Sequence, residues 1–131
     1  MKSVLHIQLV EDYQQIPFQS EVQHWVSNRF PDMDFFGLDN YSAPEMITYA
    51  QEMIRLSSLM LIVLEPRSER ANPRKLIRLF NQIGRKKPEY VYVALLERHP
   101  LVEKMMKVRE DQFRPGLGMP QLKDWAVDLF A

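Results

Sequence analysis

Residues 59–64 of this 131-residue chain read LMLIVL, six apolar side chains in a row without a polar break. Successive side chains of a strand point to opposite faces. A strand that is apolar at every position therefore needs cover on both faces, as a central strand has in a parallel sheet flanked by helices. The run is far too short for a membrane helix, which takes roughly 20 apolar residues. It specifies an α/β layer protein, and the flanking sequence agrees.

Residues 4–10 (VLHIQLV) are a β-rich run and read as the first strand. Val22, Trp25, Val26 and Phe30 share one helical face, and Pro31 stops that helix. Residues 33–38 (MDFFGL) read as a second strand, diluted by Gly37. Ser42 is expected to cap the next helix, with Pro44 in the first turn and Glu45 completing a capping box. Met46, Ile47, Ala50, Met53 and Ile54 form its inward stripe. Asn72 and Pro73 open a third helix, with Leu76, Ile77, Phe80 and Ile83 inward and Gly84 as its stop. Residues 90–96 (YVYVALL) give a fourth strand. Pro100 opens a helix over Leu101, Val102, Met105 and Met106, and Pro120 opens a last one that docks through Trp125 and Phe130.

This alternation predicts one α/β domain over residues 1–131, with right-handed crossovers and a mostly parallel sheet. The expected architecture is a three-layer, flavodoxin-like α/β/α sandwich with strand order 2-1-3-4. Residues 111–117 leave room for a short fifth edge strand, and a Rossmann arrangement is the alternative. Met46, Met53, Met60, Met105 and Met106 are expected in the core as gap-fillers.

Composition removes several function classes. Lys plus Arg equals Asp plus Glu at 17 each, so no overall field draws the chain to nucleic acid. The patch Arg85-Lys86-Lys87 follows the third helix, where basic residues complement the helix dipole. There is no cysteine, hence no disulfide, thiolate nucleophile or thiolate metal site. The opening MKSVLHIQLVEDYQQ lacks a small-residue cleavage site, so the expected location is the cytoplasm without membrane attachment. No glycine-rich phosphate loop is present, which disfavours ordinary dinucleotide binding.

In open α/β sheets, ligands bind at the carboxyl ends of the strands. Each expected strand delivers a carboxylate there: Glu11 and Asp12, Asp39, Glu65, and Glu97. Glu11, Asp12, Glu65 and Glu97 are candidate ligands for Mg²⁺, a hard cation that takes oxygen donors. Arg67, Ser68 and Arg70 follow the central strand and are candidate anion-binding residues beside a helix start. His99 is the histidine on this rim and a candidate ligand-binding residue or helix cap, whereas His6 and His24 fall inside a strand and a helix.

Two family resemblances attach to these motifs. The start, VLHIQLVEDYQQIPFQSEV, resembles a response-regulator receiver domain, with Glu11 and Asp12 in place of its metal-holding acidic pair. Glu65 stands where a receiver has its phosphorylated Asp, Ala94 and Leu95 stand where it has Ser or Thr, and no lysine sits at a fifth strand. The resemblance thus implies a signalling module that does not take phosphate in the usual way. Phe35 to Ile83 is similar in layout to Toll-receptor-type (TIR) domains and nucleoside deoxyribosyltransferase-like proteins, with Ser57 and Ser58 leading into LMLIVLE. Those families place a catalytic Glu on the next helix, but NPRKLIRLFNQI has none and Glu69 lies before it.

The function expected from these features is a small non-catalytic regulatory module, acting by contact with a protein partner or a second copy of itself. The alternative is a Mg²⁺-dependent or nucleotide-binding enzyme or sensor that uses the acidic rim.

Overall fold

A computed structural model of the chain describes residues 1–12, 14, 16, 20–85 and 89–131; Lys86 and Lys87 of the basic patch lie outside the described residues. The strands are β1 (Lys2–Leu9), β2 (Asp34–Asp39), β3 (Leu59–Pro66), β4 (Val91–Leu96) and β5 (Phe113–Leu117). They form one sheet in the order β2-β1-β3-β4-β5, with every neighbouring pair parallel. The helices are α1 (Glu21–Arg29), α2 (Pro44–Leu56), α3 (Ile77–Gly84), α4 (Pro100–Met106) and α5 (Met119–Phe130). This is the flavodoxin-like three-layer sandwich, and the fifth strand lies on the edge where the sequence left room for it. No helix among the described residues is long and apolar enough to cross a membrane.

The all-apolar run lies at the centre, as β3, between β1 and β4. Its even residues Met60, Ile62 and Leu64 join Leu5, Ile7 and Leu9 of β1 under α2, α3 and α4, where Ala50, Ile54, Phe80, Ile83 and Val102 complete the core. Its odd residues Leu61 and Val63 join Val4 of β1 under α1 and α5, against Val22, Val26, Leu122 and Trp125. Among the described residues, three helices thus cover one face and two cover the other.

Several local expectations are corrected. Ser42 does not cap α2: its hydroxyl accepts from the Asp39 N–H (2.9 Å) and its own N–H donates to the Asp39 carbonyl (3.1 Å). That tight turn consumes the serine, and α2 starts from Ala43 without a side-chain cap. Ile77 points outward at 39% exposure, while Leu79 is buried in its place. Leu76, Leu79, Phe80 and Ile83 are the regular i, i+3, i+4, i+7 stripe, and Ile77, one residue past Leu76, lies off it; a 3₁₀ turn, Arg74–Leu76, precedes α3. Met46 is 36% exposed, at the margin of the stripe that Ile47, Ala50, Met53 and Ile54 already fill. Leu101 is exposed because Val102 and Met106, four apart, form the buried line of α4.

The lower end of the sheet is closed by two residues that need their chemistry. A Cβ on Gly84 would lie 2.7 Å from the Met105 carbonyl oxygen, so only glycine lets α3 end this close to α4. Arg109 is buried, and burial lowers its pKa; its guanidinium donates to the carbonyls of Ile83 (2.8 Å), Arg85 (2.9 Å) and Val91 (2.6 Å). It satisfies carbonyls at the end of α3, where a helix leaves acceptors without partners.

Candidate functional site

On the face covered by α1 and α5, strand side chains change from apolar to polar toward the carboxyl ends. In β1 the sequence of that face is Val4, His6, Gln8, and in β3 it is Leu61, Val63, Glu65. Because β3 extends through Pro66, Glu65 is a strand residue whose direction the pleat fixes, rather than a loop residue. Gln8 stands opposite Glu65, and His6 is one step behind on the same face.

These side chains make a closed network. His6, 2% exposed, lies with Nε2 2.7 Å from Glu65 Oε1. Arg67 Nη2 is 3.5 Å from Glu65 Oε2, and Arg67 donates to Gln8 Oε1 from Nε and Nη2, both at 3.3 Å. Burial alone would push the Glu65 carboxyl up, but the His6 hydrogen bond and charge, together with the Arg67 charge, hold it below its ordinary value. With Glu65 ionised, His6 Nε2 is the donor. The Ser20 hydroxyl, which accepts from the Gln23 N–H at 3.0 Å to cap α1, sits 3.4 Å from His6 Nδ1. The network lies at the topological switch between β1 and β3, where the chain turns from one half of the sheet to the other.

One strand further along, the carboxyl ends of β3, β4 and β5 enclose a cleft of about 540 Å³. Pro66, Leu96, Leu117 and Met119 give it an apolar lining, and Glu65, Arg67, Glu69, Glu97 and Arg98 give it charge. Its arginines are engaged: Arg67 with Glu65 and Gln8, and Arg98 with Glu103 at 2.6 Å. Glu69 and Glu97 have no ion pair among the described residues, so the unspent charge of the cleft is negative. Glu97 also holds a left-handed backbone, φ 62°, which L-residues other than glycine seldom adopt. Its N–H donates to Leu117 O and its carbonyl accepts from Gly116 N–H, so pairing with β5 keeps it there.

The expected site residues separate into two groups. Glu65, Arg67, Ser68 and Glu97 meet around the cleft, and Glu11 reaches its edge by accepting a hydrogen bond from the Ser68 hydroxyl. Asp12, Arg70 and His99 do not line it. Asp12 accepts from Gln14 N–H at 2.9 Å, and the Arg70 N–H donates to Ser68 Oγ at 3.0 Å. His99 is a buried helix cap: Nδ1 accepts from Val102 N–H at 3.3 Å, and Nε2 lies 3.2 Å from the Ala71 carbonyl, to which it can only donate. Both ring nitrogens are thereby used. Among the described residues, no three His, Cys, Asp or Glu side chains are grouped so as to hold a metal ion.

Sequence reasoning passed over His6, Gln8 and Asn40. The signal for the first two was present, because polar residues two apart in a strand that needs cover on both faces mark one face as polar. Asn40 is buried and pairs with the Val10 backbone, accepting from its N–H (2.9 Å) and donating to its carbonyl (2.8 Å), and it also donates to Asn72 O (3.2 Å). It thus ties together the exits of β1, β2 and β3, and nothing in its sequence context announces that.

Fold and cleft define a flavodoxin-like α/β module with an acidic strand-end cleft. No protein-family model matches the chain, and neither a curated protein nor a solved structure matches it significantly.

Proposed function

We propose that this chain is a protein-interaction module that receives a basic side chain of a partner protein, with apolar neighbours, in the cleft over β3, β4 and β5. The observation that carries the reading is the pairing pattern of the cleft. Its arginines are held by carboxylates or an amide, while Glu69 and Glu97 have no ion pair among the described residues and stand beside an apolar floor of Leu96, Leu117 and Met119. A lysine or arginine set between apolar residues complements both features, and charge complementarity of this kind chooses partners and speeds encounter. The left-handed backbone of Glu97 supports the same reading, because strain of this type gathers at functional positions. Two groups suited to proton transfer are already engaged, which favours recognition over catalysis: Glu65 with His6 and Arg67, and His99 with two backbone groups.

The test uses the full chain, isotope-labelled, titrated with the capped peptides Leu-Lys-Leu and Leu-Glu-Leu and, separately, with MgCl₂. The lysine peptide is expected to move the amide resonances of Ser68, Glu97 and Gly118, and Glu97→Gln should weaken that binding about fivefold. Equal shifts from the glutamate peptide would refute charge recognition. Saturable shifts from Mg²⁺ alone that displace the lysine peptide would replace this reading with a metal site.

A further inference from the structure

Val102 and Met106 form the buried line of α4, and the far side of the helix is not simply polar. Leu101 is 45% exposed, and Val108, in the short 3₁₀ segment Lys107–Gln112 that continues the helix, is 51% exposed. Lys104 stands between them, one turn after Leu101 and one turn before Val108. It is exposed and has no ion pair among the described residues. Apolar side chains scattered singly on a surface are ordinary, but two on one helical face around a cation form a pattern. The other large exposed apolar side chains lack it. Tyr49 packs on Phe36 with ring centroids 4.6 Å apart, and its helix turns bring Glu45 and Glu52 beside it. Leu56 follows Arg55, which is bound to Glu52 at 2.8 Å.

The pattern is the counterpart of the cleft over β3, β4 and β5. There Glu69 and Glu97, both exposed and without an ion pair among the described residues, stand beside Leu96, Leu117 and Met119. A lysine flanked by a leucine and a valine matches that arrangement in charge and in polarity.

Resting on the reading of the cleft as a receptor for a basic side chain, we infer that the partner it takes is a second copy of this chain, which inserts Lys104 flanked by Leu101 and Val108. Lys104 does not line the cleft of its own chain. Glu103, one position earlier, is turned that way and holds Arg98 of the cleft at 2.6 Å, and successive helical residues point about 100° apart. Cleft and lysine thus flank one turn, the connection from β4 to α4. A two-fold axis beside that turn sets each Lys104 before the partner's Glu69 and Glu97. Both contacts then form at once, and the assembly closes at two copies. Pairing covers both clefts, so another protein with the same basic and apolar motif competes with it.

Sedimentation equilibrium of the full chain should show the average mass rising from one copy toward two, and no further, as concentration approaches about 1 mM, the range of a weak contact. Lys104→Glu and Glu97→Lys each set like charges against one another in both contacts, and each should weaken pairing at least about tenfold. An equimolar mixture of these two variants should pair again, because every contact then joins opposite charges. Both positions are exposed, and circular dichroism checks that the variants keep the fold. Should Glu97→Lys not fold, Glu69→Lys supplies the same reversal. A chain that stays single while the lysine peptide still moves Ser68, Glu97 and Gly118 overturns self-pairing and leaves the reading of the cleft intact. If the peptide also fails to bind, that reading falls and self-pairing with it. Pairing that Lys104→Glu leaves untouched, or a mixture that stays single, overturns the contact as well.

Discussion

The two faces of the sheet are built from the same strands but differ in what they do with the last residues before the rim. Under α2, α3 and α4 the strands stay apolar to the end, through Leu9 of β1, Leu64 of β3 and Leu95 of β4, and the core there is continuous. Under α1 and α5 the corresponding ends are Gln8, Glu65 and Leu96, and helix cover gives way to a cleft and a smaller cavity. Three helices can cover five strands along their whole length, whereas two leave the carboxyl ends of that face open. The apolar core thus runs to the strand ends on one face, and the polar strand ends lie on the other.

The largest expected effect comes from breaking the closed face. Phe80 is among the largest fully buried side chains and sits on α3 against β3 and β4. Phe80→Ala should lower stability by about 3–5 kcal/mol, the range for emptying a large aromatic site in a core. Urea or thermal unfolding followed by circular dichroism measures this. A loss below about 1 kcal/mol would mean that the three-helix face is not the rigid one.

The open face should respond more to pH than to volume. Glu65 has its carboxyl pKa held below the ordinary 4.5, despite burial, by His6 and Arg67. A carboxylate with a depressed folded-state pKa adds stability that is present above its unfolded pKa and lost as pH falls through the folded one. The wild-type chain should therefore lose stability on acidification below about pH 4.5. Glu65→Gln should lose about 1–2 kcal/mol at neutral pH, the cost of a charge-assisted hydrogen bond in a half-open site, and should flatten the acid limb of the profile. Unfolding curves across pH 3–7 compare the two proteins. An unchanged acid limb in the variant would show that Glu65 does not carry the linkage.

How far the sequence spoke for each face follows from the same contrast. The closed face was legible, because LMLIVL and the apolar stripes of α2 and α3 admit few arrangements, although right-handed crossovers alone left the strand order open between a flavodoxin-like and a Rossmann sheet. The acidic rim was legible as a set of strand-end positions. Its internal pairing was not, since Glu65 and Glu97 differ through partners that sequence position does not reveal: His6 lies 59 residues from Glu65, and pairing with β5 fixes the Glu97 backbone. The misplaced Ser42 cap has a local cause, the tight turn that uses its hydroxyl, and Ile77 was set beside Leu76 although the regular stripe runs through Leu79 instead. His6 and Gln8 read as breaks in an apolar strand, although their spacing of two was the mark of a polar face.

The smallest expected change has the opposite sign. Glu97 occupies the left-handed region at φ 62°, where a side chain with a Cβ costs about 1–2 kcal/mol relative to its preferred backbone. Its exposed carboxylate has no ion pair among the described residues to offset that cost. Glu97→Gly relieves the strain but adds freedom to the unfolded chain, so the net gain in stability should be about 1 kcal/mol or less. The same substitution should weaken binding of the lysine peptide at least as much as Glu97→Gln does, about fivefold, because it removes the carboxylate along with the strain. A residue whose replacement stabilises the fold while weakening recognition is held for its contact and not for its structure. If Glu97→Gly instead destabilises the protein, Glu97 supports the β4–β5 junction, and the difference between the two faces is one of packing alone.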